Sequence, residues 1–458
     1  MTLRNLLLAT YHFPPHGGSG VQRPAGLARY LPAAGWCVHV LTAGHSHYPL
    51  LDPTLETTDG SAEFVSRVRG WEPGAIAAAV CRQLRRGSAQ APWVDSLEDR
   101  LYWRLDRLVD RLRLPETELL WVPAAIRKAR RIIDRHPVEA VVTTSPPWSV
   151  HLVGMWLKRR LGIPWIADLR DPIVDNFAYV PQGVLADRLI RRLERSVLSR
   201  ADHCVVTCPD LARHLRARYP DCAIGRVTTI TNGFDRADTP DPVEVRSEAS
   251  RPARFLLAYV GAFYRRQSIE PILQAVRALR THVGETARLI ELRVVGSIAA
   301  SQKAYLRDED AAFLTCSGYR PHHEAIREMA RADALLLMTP DNEGGRLCIP
   351  AKTFEYLAFG RHIIAVVHPD TELWRILAAA GNVTLIRPHD PAGLREAIEA
   401  CIHRWRCGMP DPQRNAEVVG QFRRDRLAKR FAEVVETCVD GTPDLRLVPE
   451  SAIAGEAA

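Results

Sequence analysis

Short apolar runs that end in glycine or a polar turn, each followed by a stretch with helical spacing, recur along most of the chain. This alternation constrains the fold more than any single motif. In the first half the runs are Leu6 to Ala9, Val38 to Thr42, Ala140 to Thr144, Trp165 to Leu169, His203 to Thr207 and Val227 to Ile230. In the second they are Phe255 to Val260, Leu292 to Val295, Phe313 to Cys316, Ala334 to Met338, Ile363 to Val367 and Val383 to Ile386. Strands of this kind, joined by helices, build parallel sheets covered on both faces, so each half is predicted to be a doubly wound α/β domain. At 458 residues the chain exceeds one typical core and divides most economically into two. A charged, Pro-rich stretch without periodicity, 236–252, reads as the linker between domains at 1–235 and 253–413. Residues from about 45 to 118 break the rhythm and read as an insertion in the first domain. A helix over 414–440 has the length to cross back to that domain, and 441–458 reads as a disordered tail. The N-terminal apolar run, about five residues, is too short for a spanning helix or a signal segment.

The densest set of site-like residues lies between Glu343 and Ile364. Gly344 and Gly345 can take positive φ and leave N–H groups uncovered, Pro350 suits a first helical turn, and Gly360 suits a helix stop, predicting a helix from about Pro350 to Phe359. Lys352 and Glu355, three apart, are neighbours on one side of it. A phosphate could sit at the helix start beside Lys352 while Glu355 accepts hydroxyl hydrogen bonds; an ordinary surface Lys/Glu pair is the competing reading. In the first half, the Gly17, Gly18 and Gly20 loop is either a plain turn or a ligand loop, and Arg170 and Asp171 emerge at the carboxyl end of a parallel strand, where ligands bind or where an Arg–Asp pair is merely structural.

The net charge of +8 comes from Arg clusters spread along the chain, which suits phosphorylated ligands or anionic membranes rather than nucleic acid, and no nucleic-acid motif is present. Ten Cys without CxxC pairing point to reduced thiols in a cytoplasmic setting and away from structural zinc. The acidic string Asp308 to Asp310 is expected to be a solvated face, so no metal site is predicted. Arg127, Lys128, Arg130 and Arg131 near Trp121 and Ile132, and Lys158, Arg159 and Arg160 after Trp156 and Leu157, could be solvated faces or could bind the inner face of the cytoplasmic membrane peripherally.

Five segments in order, YHFPPHGGSGVQR, TTSPPWSVH with IADLRDP, TNGFD, YVGAFYRRQSIEPILQA and AKTFEYLAFGRHI, resemble the GT-B glycosyltransferases of the large retaining family 4 (group 1) type. The resemblance implies two Rossmann-like domains facing across a cleft and metal-free transfer from a nucleotide-diphosphate sugar to a saccharide or lipid-linked, undecaprenyl-type acceptor, with no cofactor. It implies donor contacts at Gly17, Gly18, Gly261, Tyr319, Arg320, Glu343, Gly344, Gly345 and Glu355, with Glu355 on the ribose. Arg265, Arg266 and Lys352 would face the leaving diphosphate, Arg170 would stand where many relatives place an active-site His, and Trp121, His151 and Asp171 would touch the acceptor. The chain departs from the family at Leu347, where the first of two paired glutamates is expected, and at Gln267, near an expected Lys. A sugar-nucleotide 2-epimerase and a catalytically inactive GT-B scaffold are the rival readings.

Overall fold

A computed structural model describes residues 3–44, 50–55, 64–71, 116–176, 183–222, 226–236, 238, 254–263, 267–282 and 289–441, with isolated positions between 76 and 105. All but residues 236 and 238 of the expected linker, and much of the expected insertion between 45 and 118, lie outside the described residues, as does the tail from 442. The chain divides into two compact units. The first comprises Met1–Thr207, Leu211–Ile230 and Ala428–Leu447; the second comprises Cys208–Asp210, Thr231–Leu427 and Val448–Ala458.

The first unit is built on a parallel sheet of seven strands: β1 Arg4–Thr10, β2 Trp36–Ala43, β3 Val65–Val68, β4 Val138–Thr144, β5 Trp165–Leu169, β6 His203–Val206 and β7 Val227–Thr229, in the order β3-β2-β1-β4-β5-β6-β7. Leu6, Leu7 and Leu8 are all fully buried, as expected of a central strand with both faces covered. Around it run α1 Ser19–Tyr30, α2 Val122–Ile133, α3 His151–Leu161, α4 Val184–Arg200 and α5 Pro209–Arg218. Strand β3 falls inside the stretch expected to be an insertion; its sequence, VSRV, has only two apolar residues and is half-buried throughout.

The second unit carries β8 Phe255–Val260, β9 Ile290–Val295, β10 Leu314–Cys316, β11 Ala334–Met338, β12 His362–Val366 and β13 Val383–Ile386, ordered β10-β9-β8-β11-β12-β13. Its helices are α6 Glu270–His282, α7 His322–Arg331, α8 Lys352–Phe359, α9 Glu372–Ala380 and α10 Pro391–Arg406. Start signals are explicit at α9, where Thr371 accepts the Trp374 N–H, and at α10, where Asp390 accepts the Gly393 N–H ahead of Pro391 at the first turn. Both sheets reverse strand order beside their first strand, between β1 and β4 and between β8 and β11. Open α/β sheets bind ligands outside the carboxyl ends of the strands at that point.

The expected 414–440 helix is broken into a single turn, Ala416–Gly420, and α11, Arg424–Asp440. At the interruption the backbone pairs with Phe234 instead, whose N–H donates 3.1 Å to the Phe422 carbonyl and whose carbonyl accepts the Arg424 N–H at 3.0 Å. From Ala428 onward α11 groups with the first unit. There Arg430 donates to the Thr229 carbonyl, Asp440 pairs with Arg4 at 2.9 Å, and Phe431 is fully buried below Arg23.

Candidate functional site

In the second unit the loop after β8 begins at Gly261, whose φ of 138° lies in the region glycine favours. Gly296, after β9, comes so close that a Cβ there would stand 2.0 Å from the Gly261 carbonyl oxygen. Helix α8, entered from β11, is docked by Tyr356, whose hydroxyl accepts the Val260 N–H at 2.9 Å. That docking brings Lys352 over the end of β8. Its ammonium lies 3.6 Å from the centre of the Tyr259 ring, a cation–π contact, and 3.1 Å from where a Gly261 Cβ would be. Burial pushes the Lys352 pKa down to about 7.

One turn further along, Glu355 retains only 12% side-chain exposure between His322 Nε2 and Arg424 Nη2, each 3.8 Å away. Those distances are ion pairs without hydrogen bonds, so the carboxylate keeps its acceptor sites for hydroxyl groups. α8 ends at Gly360 in the left-handed conformation, as its sequence predicts. A cation and a carboxylate on one helix at the switch point can hold a diphosphate and a vicinal diol together.

The neighbouring expectations fare unevenly. Gly344 and Gly345 do not form an open anion loop; they belong to the one-turn helix Glu343–Arg346, where Asn342 Oδ1 accepts the Gly345 N–H at 3.0 Å. Gly345 is needed for space, since a Cβ would meet the Pro340 carbonyl oxygen at 2.0 Å. Glu343 is exposed, Leu347 is a buried core residue, and Gln267 is buried with its amide on the Met338 carbonyl. Tyr319 and Arg320 are exposed after Gly318, Arg320 beside Glu324. Arg265 and Arg266 lie outside the described residues. In the Asp308–Asp310 string, Asp308 and Glu309 are exposed as expected, but Asp310 is buried and paired with Arg277 at 2.5 Å, and its carboxylate also accepts the Arg307 N–H.

In the first unit Arg170 is buried, with its guanidinium donating to the Ser145 carbonyl and, at 2.5 Å, to the Gly20 carbonyl. It clamps the loops after β1 and β4 at the sheet's switch point, with His12, His16 and half-buried Asp171 nearby. Burial, then His16 and Arg170, drives the His12 pKa down to about 3. Gly18, at φ 86°, precedes α1, and the Gly17 N–H is taken by the Leu50 carbonyl. Trp121 and His151 cannot touch an acceptor directly, because both are wholly buried. The Trp121 indole donates to the Val68 carbonyl, and the His151 ring meets Thr143 at 2.8 Å with its pKa pushed down to about 3 by burial. Sequence reasoning passed over Asp168, a buried carboxylate that binds Arg23 of α1 at 2.8 Å and accepts from Thr144. An acid inside the apolar run WIADL was its available signal.

The expected membrane faces also change. Trp121, Ile132 and Leu157 are buried and Trp156 packs under Arg130, so the cations of α2 lack the expected apolar partners, and at the end of α3 only Leu161, 42% exposed, stands beside them. Exposed apolar groups beside arginines occur instead on α4, at Val184, Leu185 and Leu189, which are 71%, 72% and 49% exposed. No helix among the described residues is long and apolar enough to cross a membrane.

Two parallel sheets of this order, with the switch-point residues described, define a GT-B fold of two Rossmann-like domains. Residues 17–233 match the glycosyl transferase 4-like domain family. A probable glycosyltransferase, WbjE, of Pseudomonas aeruginosa is 27% identical over 270 residues, covering 57% of this chain and 65% of that protein's length. Sucrose-phosphate synthase from Thermosynechococcus elongatus superposes with a TM-score of 0.58 at 16% identity, over 96% of this chain and 97% of that one. The Anabaena protein HepE in complex with UDP superposes with a TM-score of 0.55 at 12% identity, over 96% and 98%. The residues that match the glycosyl transferase 4-like family, 17–233, are just under half of the chain, and together these likenesses support a group 1 glycosyltransferase of GT-B fold.

Proposed function

We propose that the protein transfers a sugar from a nucleotide-diphosphate sugar to a lipid-linked or saccharide acceptor in the biosynthesis of a cell-surface polysaccharide or glycoconjugate, with retention at the anomeric carbon and without a metal. The observation that carries this is the placement of Lys352 and Glu355 on one turn of α8 against Gly261. It is supported by structural neighbours described in complex with UDP and with UDP-glucose. Glu355 holds the ribose hydroxyls and Lys352 the diphosphate. As the bond from the anomeric carbon to the diphosphate oxygen breaks, Lys352 stabilises the negative charge on the departing group, the role a metal ion plays in other transferases. The acceptor hydroxyl enters on the same face, and its proton passes to the departing phosphate oxygen. The acceptor binds the first unit, at the carboxyl ends of its strands around Arg170 and Asp171. Thermal-shift screening of a nucleotide-sugar panel, followed by nucleotide-diphosphate release with candidate acceptors, tests the reading. Epimerised sugar nucleotide as the product would make the protein an epimerase, and donor binding without release or epimerisation would make it an inactive scaffold.

Peripheral association with an anionic membrane is assigned to α4, where Arg188, Arg191, Arg192 and Arg195 accompany Val184, Leu185 and Leu189. Vesicle flotation of wild type and a Leu185→Ser/Leu189→Ser variant checks this; equal binding by both would remove α4 from the contact.

A further inference from the structure

A cavity of about 240 Å³ opens in the first unit at the end of the sheet opposite Arg170. Its walls include His39 of β2, Phe64 just before β3, and Lys128, Arg131, Arg135 and His136 from the last turns of α2 and the turn that follows. No carboxylate lines it. Among the described residues Lys128, Arg131 and Arg135 make no ion pair or side-chain hydrogen bond.

Cations at the C-terminal end of a helix are favoured by its dipole, which accounts for their presence on α2. It does not account for their convergence on one hollow, where like charges three and four residues apart repel each other. His39 is held in place on the β2 wall. The His39 ring meets Asn5 Oδ1 at 3.0 Å and lies 4.4 Å from the His136 ring and 5.0 Å from Phe64, centre to centre. Burial, then His136, lowers the His39 pKa; what favours an anion here is the set of cations Lys128, Arg131 and Arg135 on the lining.

We propose that this cavity binds a phosphomonoester, at a site separate from the donor site of the second unit, with Lys128, Arg131 and Arg135 as ligands to the phosphate. The volume is below the ~300–1,000 Å³ of pockets for drug-sized ligands, which excludes a nucleotide sugar and fits a phosphate carrying a short polyol. Phe64, at the rim and 39% exposed, covers the organic part. The same chemistry is presented by a soluble sugar or glycerol phosphate and by the headgroup of phosphatidic acid.

Equilibrium dialysis with labelled orthophosphate and glycerol 3-phosphate, and sedimentation with phosphatidic acid or phosphatidylcholine vesicles, separate the sources. Wild type is compared with a Lys128→Gln/Arg131→Gln/Arg135→Gln variant whose fold is checked by its circular dichroism and unchanged melting. Loss of three charge-assisted contacts is expected to weaken binding by about tenfold or more. Loss confined to the soluble ligands identifies a metabolite site, and loss confined to phosphatidic acid vesicles identifies a headgroup site. Phe64→Ala should weaken glycerol 3-phosphate more than orthophosphate. The proposal is overturned if wild type binds none of these, or if the triple variant binds them as wild type does.

Discussion

Lys352 supplies a titration that donor binding must feel. Its ammonium sits on the Tyr259 ring beside Gly261, and burial brings its pKa to about 7 in the free protein. A lysine whose pKa is lowered loses its charge as pH rises, so the free site carries a cation at pH 7 in about half of the molecules and at pH 9 in about one in a hundred. If the diphosphate requires the charged form, affinity for a nucleotide sugar falls by about fiftyfold over that range, roughly 2.3 kcal/mol. The ligand should be the sugar nucleotide rather than the free diphosphate, whose terminal phosphate itself titrates with a pKa of about 6. Isothermal calorimetry between pH 7 and 9, in two buffers of different ionisation enthalpy, reads both the affinity and the proton taken up. Lys352→Arg should bind with little pH dependence, because guanidinium stays charged, and Lys352→Met should bind weakly at every pH. A flat wild-type profile, or a Lys352→Met variant that keeps the wild-type slope, would refute the role.

Three further outcomes follow from contacts already described. Glu355→Gln and Glu355→Ala should lower transfer by about a hundredfold or more, as expected for loss of charge-assisted bonds to a diol, with melting little changed; near-normal turnover would remove Glu355 from the donor site. Gly345→Ala should lower the stability of the second unit by more than about 2 kcal/mol, because its Cβ would stand 2.0 Å from the Pro340 carbonyl; an unchanged urea midpoint would show that the loop yields. Burial works to raise the Asp310 pKa, but Arg277 and the Arg307 amide outweigh it and hold it below the ordinary value. Its contribution to stability is therefore present above about pH 4 and lost as pH falls through the lower folded pKa; Asp310→Ala should cost about 3 kcal/mol at pH 7, and an unchanged urea midpoint would show that the pair with Arg277 contributes nothing.

The sheets were legible because most of their strands are runs dominated by apolar residues. Trp165 to Leu169, Phe255 to Val260, Ala334 to Met338 and Val383 to Ile386 begin and end where the pattern puts them. Strand β3 was not, because VSRV at a sheet edge carries almost no hydrophobic signal. Lys352, Glu355 and the Gly360 stop were readable from spacing within one helix. What spacing cannot show is burial: Trp121 and His151 look like surface contacts until their indole and imidazole are found bonded to Val68 and Thr143. Gly344 and Gly345 suggested an open loop, yet the nearby Asn342 supplies a cap that makes a helical turn cheaper than an uncovered one.

The order in which the first unit acquires its parts also matters during synthesis. Its chain runs, with a three-residue excursion at Cys208–Asp210, to Ile230, leaves for Thr231–Leu427 of the second unit, and returns only at Ala428. At ribosomal rates of ~5–20 residues per second, the stretch between them takes on the order of 10–40 s to emerge. During that interval the first sheet exists without the helix that brings Phe431, Val434 and Val435 to full or nearly full burial. The nascent first unit therefore presents an apolar surface to chaperones until α11 has emerged, whereas the strands and helices of the second unit's sheet all precede it. A chain truncated just before Ala428 would lose solubility through its N-terminal half.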